Sequence, residues 1–186
     1  MTHKYLSLAF TESVRAAQER YGAKMPVPNE ELPNDSLSDF EREFIAERDG
    51  FYMATVGEDG WPYVQFRGGP KGFLRALDDQ TLAYADFRGN RQYISTGNLT
   101  ADGRTSLFFM DYANRRRLKL MARAEILDAK ENTELLERVM PDGYRAIPER
   151  VVLLHVVAFD WNCPQHITPR FTMDEIQELA RIDSET

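Results

Sequence analysis

The sequence predicts a mainly β fold, a β-barrel with peripheral helices, and three patterns support this prediction. Residues 51–69 hold two β-rich runs around Gly57-Glu58-Asp59-Gly60, whose glycines can take positive φ and close a hairpin. Within residues 73–85, a second pair of runs flanks a short polar turn. Two further strands are predicted at 105–111 and 117–127.

The strand at 117–127 has the clearest alternation. Every second residue is apolar and the residues between them are mostly charged, so one face should pack inward and the other should meet water or a ligand. The inward face carries Leu118, Leu120, Ala122, Ala124 and Ile126, and the other face carries Arg117, Lys119, Arg123 and Glu125.

Bulk properties indicate an ordinary globular protein. The 186 residues are 42% hydrophobic and 28% charged, which fits a single domain over 1–186 with an N-terminal helical segment at about 1–50. The net charge of -7 argues against broad nucleic-acid binding. A lone cysteine, Cys163, excludes an internal disulfide, and we expect a cytoplasmic location with no secretory signal and no membrane span.

Two helices are expected before the first strand. The spacing of apolar residues predicts one helix over 11–21, ended by Gly22 in a left-handed cap. Prolines in 24–33 indicate an extended connector. Ser38 and Glu41 form a capping-box pattern, which predicts a second helix outside the barrel.

The C-terminal third adds two more helices and a buried strand. An amphipathic helix is predicted within 130–140, and the apolar run at 151–159 predicts a strand that is buried on both sides. We interpret His155, in that run, as a hydrogen-bonded core residue and not as a metal ligand. A capping box at 172–175 begins a final helix that we expect to dock on the body of the protein.

Three short stretches carry residues suited to binding an anionic, flat ligand. Arg67-Gly68-Gly69 ends a strand, where the missing side chains would let a ligand approach the backbone. Arg88-Gly89-Asn90-Arg91 offers guanidinium groups, an amide and backbone N–H groups to a phosphate, and a helix starting near Gln92 would add its N-terminus. The basic run at 115–119 enters a strand. Each stretch taken alone is also explained by turns and solvated arginines.

Taken in order, these motifs resemble a known family. The segments RGGPKGF, DFRGNRQYISTGN and DWNCPQHITPR, with the strands SLFFMDY and RRRLKLMARAEIL, are similar to the pyridoxamine 5'-phosphate oxidase-like FMN-binding split-barrel proteins. The branch that they resemble most is usually described as predicted flavin-nucleotide-binding proteins. The similarity covers about residues 40–127 well and the C-terminal part loosely.

This resemblance implies a set of FMN-binding residues. Asn90 and Arg91 stand where the family places its phosphate-binding arginine and lysine, and Arg88 is a plausible substitute for the arginine. Gln65 and Arg67 are competing candidates for a flavin contact, because two registers of the strand motif are possible. The remaining implied contacts are Gly68, Gly69, Tyr84, Ala85, Arg117, Trp161 and Arg170.

The resemblance also implies an architecture and an activity. The fold would be a six-stranded antiparallel split barrel, in a homodimer whose FMN sites lie at the subunit interface and draw on both chains. The function would be that of an FMN-dependent oxidoreductase acting on a small-molecule substrate or electron donor. A non-catalytic flavin carrier and a haem-binding relative are the alternatives.

The identity of the substrate stays open. The oxidase's own C-terminal substrate signature is absent, which argues against oxidation of pyridoxamine phosphate. Cys163 lacks a neighbouring base that would activate it, and His166 either contacts a flavin or substrate or fixes its loop. No catalytic residue is therefore predicted, and no metal site.

Overall fold

The computed structural model describes residues 3–23, 25–26 and 31–184. In this part of the chain, seven antiparallel strands form one sheet in the order β2-β1-β5-β6-β7-β4-β3. The strands are β1 (Gly50–Val56), β2 (Pro62–Gly68), β3 (Arg75–Ala76), β4 (Thr81–Phe87), β5 (Arg104–Asp111), β6 (Arg116–Asp128) and β7 (Pro148–Trp161).

The mainly β prediction is confirmed, with a small difference in the strand count. Six strands were expected, and the additional one is β3, which pairs only two residues with β4 at an edge of the sheet. The hydrogen-bonded ladder is not closed, because β2 and β3 are both edges. Pro62 begins the edge strand β2, where its missing N–H costs no ladder hydrogen bond.

Side chains bring the two ends of this sheet together. The ring of Phe51, on β1, lies 5.8 Å from the ring of Tyr84, on β4, although three strands separate β1 from β4 in the sheet. Phe109 of β5 packs against Phe51 at 5.3 Å. One buried cluster therefore fills the curled sheet, and it includes Met53, Leu82, Leu107, Leu118, Leu120 and Leu154.

Helices surround the sheet. They are α1 (His3–Ala9), α2 (Glu12–Arg20), α3 (Asp39–Ala46), α4 (Ile94–Ala101), α5 (Thr133–Val139) and α6 (Met173–Ser184). Three of their predicted start and stop signals are confirmed: Gly22 has a φ of 71°, and capping boxes begin α3 at Ser38 and α6 at Thr172. Helix α1 was not predicted from the sequence. None of the described helices is both long and apolar enough to cross a membrane.

Strand β7 is central and pairs with both β6 and β4, as its apolar run indicates. The interpretation of His155 as a core residue is wrong, because its side chain is 47% exposed and lies 3.4 Å from Glu125 Oε2. β7 therefore has a partly exposed face at this point.

Two other expectations have mixed outcomes. The connector predicted for 24–33 lies partly outside the described residues, and its described part has no helix or strand. Along α6, Ile176 and Ala180 are exposed, so these two residues are not buried against the body of the protein as expected.

Candidate functional site

A polar cleft of about 230 Å³ lies where β2 approaches the end of β4. Strand β2 contributes Tyr63, Gln65 and Arg67, and the loop and first helical turn at 89–96 form the opposite wall. Arg150 of β7 completes the lining. The cleft therefore occupies the gap that the open sheet leaves between its edge strand β2 and the body.

The alternation of β2 directs these side chains inward. Tyr63, Gln65 and Arg67 are half-buried, whereas the residues between them, Val64 and Phe66, point to the exposed face. Arg67 pairs in register with Phe51 of the core, which places it on the inner face of the sheet. Polar side chains on the inner face of a sheet need hydrogen-bond or ion-pair partners, and other residues of the cleft supply them.

Asp86 is the carboxylate that binds two of the arginines of this cleft. It is buried, and its Oδ1 accepts a hydrogen bond from Arg67 Nη1 at 3.2 Å. Its Oδ2 accepts two from Arg150, from Nε at 2.8 Å and from Nη2 at 2.7 Å. Burial disfavours the charged form of Arg150, but its hydrogen bonds to Asp86, together with the negative charges of Asp86 and Glu149, outweigh this and raise its pKa.

A break in the strand pairing directly follows Asp86. The register of β4 against β7 shifts between Asp86 and Phe87, and such a bulge bends the strand and redirects side chains. The described lining contains three arginines, Arg67, Arg91 and Arg150, and one carboxylate, Asp86, so it carries more positive than negative groups in a protein that is acidic overall. This local charge suits an anionic ligand.

The loop after β4 has an unusual backbone. Arg91 and Tyr93 have φ of 62° and 54°, in the left-handed region that residues with a Cβ rarely occupy. Asn90 Oδ1 accepts a hydrogen bond from Gln92 N at 3.2 Å and stabilises the intervening turn. Strain of this kind concentrates at ligand sites. The Arg91 guanidinium has no hydrogen-bond or ion-pair partner within the described chain, so it is available to a ligand.

Helix α4 begins at this loop without a side-chain cap. Its N-cap residue is Tyr93, which makes no capping hydrogen bond, and no acidic residue lies in the first turn. Ile94, Ser95 and Thr96 of that turn line the cleft. The first N–H groups of a helix need acceptors, and together with the helix dipole they form a good phosphate site.

Glu149 holds the outer side of the loop. Its Oε1 accepts a hydrogen bond from Arg88 Nε at 2.9 Å, and its Oε2 accepts one from Tyr93 Oη at 3.2 Å. The Arg88 hydrogen bond is the main reason that the pKa of Glu149 lies below its usual range. Arg88 is thereby directed away from the cleft, unlike Asn90 and Arg91, which line it.

The two predicted glycines serve packing. A Cβ on Gly69 would lie 2.7 Å from the ring of Phe73, and one on Gly68 would lie 2.8 Å from the ring of Phe66. The Gly69 N–H donates to the Asp49 carbonyl at 2.9 Å and so is not free for a ligand. Neither glycine lines the cleft.

Tyr84 and Ala85 precede the cleft and are buried on opposite faces of β4. The Tyr84 hydroxyl lies 3.9 Å from Met53 Sδ, and burial raises the pKa of its phenol. Their side chains are core groups. The lining residues begin one position later, at Asp86.

The three C-terminal candidates lie outside the cleft. Arg117 Nη2 donates to the Cys163 carbonyl at 3.2 Å. Trp161 Nε1 donates to Glu41 Oε1 at 2.8 Å, and its ring packs on Phe44 of α3 at 4.7 Å. The Arg170 guanidinium lies 5.0 Å from the ring centre of Tyr112. Within one chain, these residues do not come together with the others.

Several lining residues were not predicted from the sequence, including Tyr63, Asp86, Tyr93 and Arg150. Asp86 follows Tyr84-Ala85 directly, so the acidic residue at the end of that strand was the available signal. Arg150 gave no such signal because it is 64 positions away from Asp86. The described part of the chain contains no group of three His, Cys, Asp or Glu side chains that could hold a metal ion.

Comparison with solved structures shows the same fold in other proteins. A candidate pyridoxamine 5'-phosphate oxidase from Lactobacillus delbrueckii is 19% identical, with a TM-score of 0.52, covering 69% of this chain and 99% of its own. HupZ of Group A Streptococcus is 18% identical, with a TM-score of 0.51, covering 73% and 99%. An FMN-binding protein from Syntrophomonas wolfei is 15% identical, with a TM-score of 0.51, covering 66% and 83%.

Sequence comparison assigns the family. No curated protein matches the chain with significance. The family model described as pyridoxamine 5'-phosphate oxidase matches residues 37–160, a segment that contains all seven strands with the exception of the last residue of β7. The chain therefore belongs to the pyridoxamine 5'-phosphate oxidase family.

Proposed function

We propose that this protein is a cytoplasmic, single-domain flavoprotein that binds FMN in the cleft and acts as an FMN-dependent oxidoreductase on a small molecule. The observation that carries the proposal is the meeting of an uncapped helix N-terminus with two arginines, Arg67 and Arg91, in one cleft. FMN has one phosphate and one flat ring with hydrogen-bonding edges. The cleft has groups that suit the phosphate and groups that suit the ring.

The phosphate would bind at the loop and the start of α4. The first-turn N–H groups supply donors, and Arg91 supplies a charge that has no partner in the described chain. Asn90 stabilises the turn through Gln92 and contributes an amide to the lining. In this proposal Arg88 has an indirect role, because its pairing with Glu149 holds the loop from outside.

The flavin ring would lie along β2. Gln65 and Arg67 both line the cleft, so either register of the strand motif puts the flavin contact on the β2 wall. Arg67 Nε is buried and makes no hydrogen bond, which fits a site whose arginine completes its contacts on binding a ligand. When bound, the flavin supplies the electron-transfer chemistry, and the chain binds and orients it.

The cleft favours FMN over haem. Neither His155 nor His166 lines it, and most of its lining is polar and basic. Haem needs an axial ligand and a largely apolar pocket. A non-catalytic flavin carrier would use the same cleft, and turnover of a soluble electron donor distinguishes the carrier from the enzyme.

We further propose a homodimer with the two FMN sites at the interface. Tyr52, Val64 and Phe66 share the outer face of β1 and β2 and are 40%, 59% and 54% exposed, so they form an apolar patch at this edge of the sheet. A second copy would cover this face. Arg117 and Arg170, which lie outside their own cleft, would then be available to the other subunit.

Titration of the purified protein with FMN and with riboflavin tests the proposal. The ring is the same in both ligands, but riboflavin lacks the phosphate. Loss of several charged hydrogen bonds should weaken riboflavin binding by roughly tenfold or more relative to FMN. Equal affinities would show that the loop and the start of α4 do not hold a phosphate.

A further inference from the structure

Tyr63 and Gln65 form a hydrogen bond within the cleft. They lie two residues apart on β2, so their side chains share its inner face, and Tyr63 Oη is 2.6 Å from Gln65 Oε1. The nitrogen of the same amide, Gln65 Nε2, lies 3.4 Å from the Phe66 carbonyl oxygen. Both side chains line the cleft.

These two contacts select one orientation of the amide. The phenol donates to the amide oxygen, and the amide nitrogen faces a carbonyl oxygen. If the amide were reversed, its oxygen would face the Phe66 carbonyl, and two acceptors would oppose each other. The network therefore leaves Gln65 with one free N–H group to donate to a ligand, beside the one remaining lone pair of its amide oxygen.

We propose that Tyr63 is a positioning residue that holds Gln65 as a hydrogen-bond donor to the flavin ring. This inference rests on the proposed FMN site. Arg67 lies next on the same face and has donors only, so Gln65 and Arg67 can both present donors to the ring from the β2 wall. Reduction adds negative charge to the flavin, and donors stabilise that charge. The wall should therefore bind reduced FMN more tightly than oxidised FMN.

The position of Gln65 explains why it needs a positioning residue. It lies on an edge strand, beside a cleft, and the two orientations of its amide have nearly the same shape, so hydrogen bonds distinguish them. Holding a side chain in one state before binding removes an entropic cost from the binding step. Tyr63 does this from within the same strand, and its pairing with Thr55 of β1 fixes its own position along the ladder.

The test is Tyr63→Phe, which keeps the ring and removes the hydroxyl. We expect about threefold to tenfold weaker binding of oxidised FMN and a larger loss for reduced FMN, so the midpoint potential of the bound flavin shifts to more negative values. Gln65→Glu is the matched variant: it still accepts from Tyr63 but has no N–H, and it should lose more affinity than Tyr63→Phe. Thermal unfolding checks that both variants are folded.

A double-mutant cycle separates positioning from direct contact. In a Gln65→Ala background, Tyr63→Phe should change FMN affinity and potential no further. An undiminished effect of Tyr63→Phe in that background would overturn the inference, since Tyr63 would then act without Gln65. An unchanged Tyr63→Phe variant would also overturn it and leave FMN binding intact. A wild-type protein that binds no FMN would instead overturn the proposed function, and this inference with it.

Discussion

Arg67 Nη1 donates a hydrogen bond to Asp86 Oδ1 at 3.2 Å and so joins β2 to β4 across the open side of the sheet. The two strands are not neighbours in the ladder, and this ion pair is one of the side-chain contacts that hold the gap to its observed width. Arg150 binds the other oxygen of the same carboxylate. One buried acid thereby fixes two of the three arginines of the cleft.

Replacing Asp86 with asparagine should destabilise the fold. The substitution leaves Arg67 and Arg150 close together, both positive and partly buried, without the carboxylate between them. Removing one partner of a buried ion pair typically costs about 3–5 kcal/mol, and the partial exposure of the arginines places the expected loss near the lower limit, at about 3 kcal/mol. Urea unfolding at pH 7 measures it.

The control for this prediction is Asp102→Asn. Asp102 also pairs with an arginine, Arg104, but both side chains lie at the surface. We expect almost no change in stability from this variant. Equal effects of the two substitutions would mean that the Asp86 ion pair contributes no more to stability than a surface pair.

Arg91→Ala should weaken FMN binding without unfolding the protein. Arg91 lines the cleft and is exposed, and loss of a charged hydrogen bond to the phosphate should cost about 1.5–3 kcal/mol of binding free energy. Arg88→Ala is the matched control, since Arg88 pairs with Glu149 outside the cleft and should affect affinity less. If FMN affinity in Arg91→Ala is unchanged, Arg91 does not belong to the site.

Trp161→Phe should reduce stability in a pH-dependent way. Burial of Glu41 opposes its charge, but hydrogen bonds from Ser38 and Trp161 outweigh this and hold the pKa of Glu41 below its usual value of 4.5. A lowered pKa stabilises the fold above pH 4.5, and the contribution is lost as pH falls through the folded-state pKa. We expect a loss of about 1–2 kcal/mol at pH 7.

As pH falls through the folded-state pKa of Glu41, the difference between Trp161→Phe and the wild type should shrink, because Glu41 becomes protonated in both. Unfolding curves at several pH values measure this. Trp61→Phe, at a tryptophan that is 75% exposed, should show no such dependence. A difference that is constant from pH 7 to pH 3 would show that Trp161 acts through ring packing alone.

Val64→Glu should prevent the proposed dimer. Val64 lies on the outer face of the edge strand β2 and is 59% exposed, so a glutamate there is tolerated in a monomer. In a dimer the charge would be buried against apolar groups, at a cost of several kcal/mol. Light scattering coupled to gel filtration reports the mass of the particle. Tyr21→Glu, at the exposed tyrosine that follows α2, should leave that mass unchanged.

Local patterns in the sequence predicted most of the fold. The alternation at 117–127, the turn at 57–60 and the capping boxes at Ser38 and Thr172 all depend on residues within a few positions of one another, and all were found. Helix α1 was not predicted because its seven residues include no acidic residue in the first turn and no basic residue in the last. His155 was misjudged because the other residues of its run are nearly all apolar, which conceals the exposed position that it occupies.

Only part of the site could be predicted. The stretch from Arg88 to Arg91 was identified by its composition, and the structure shows that Asn90 and Arg91 line the cleft while Arg88 turns outward to Glu149. That division depends on the φ of Arg91 and on a partner far along the chain, neither of which a local pattern reveals. Asp86 and Arg150 meet only because the pairing of β4 with β7 makes them cross-strand partners.

The most direct test of the FMN site is the visible absorption spectrum of the purified protein, recorded before and after incubation with FMN and desalting. An FMN complex should retain the flavin absorption bands through desalting, with about one FMN per chain, and Arg91→Ala should retain less. A wild-type protein that leaves the column colourless after incubation with FMN would contradict the assignment of the cleft as a flavin site.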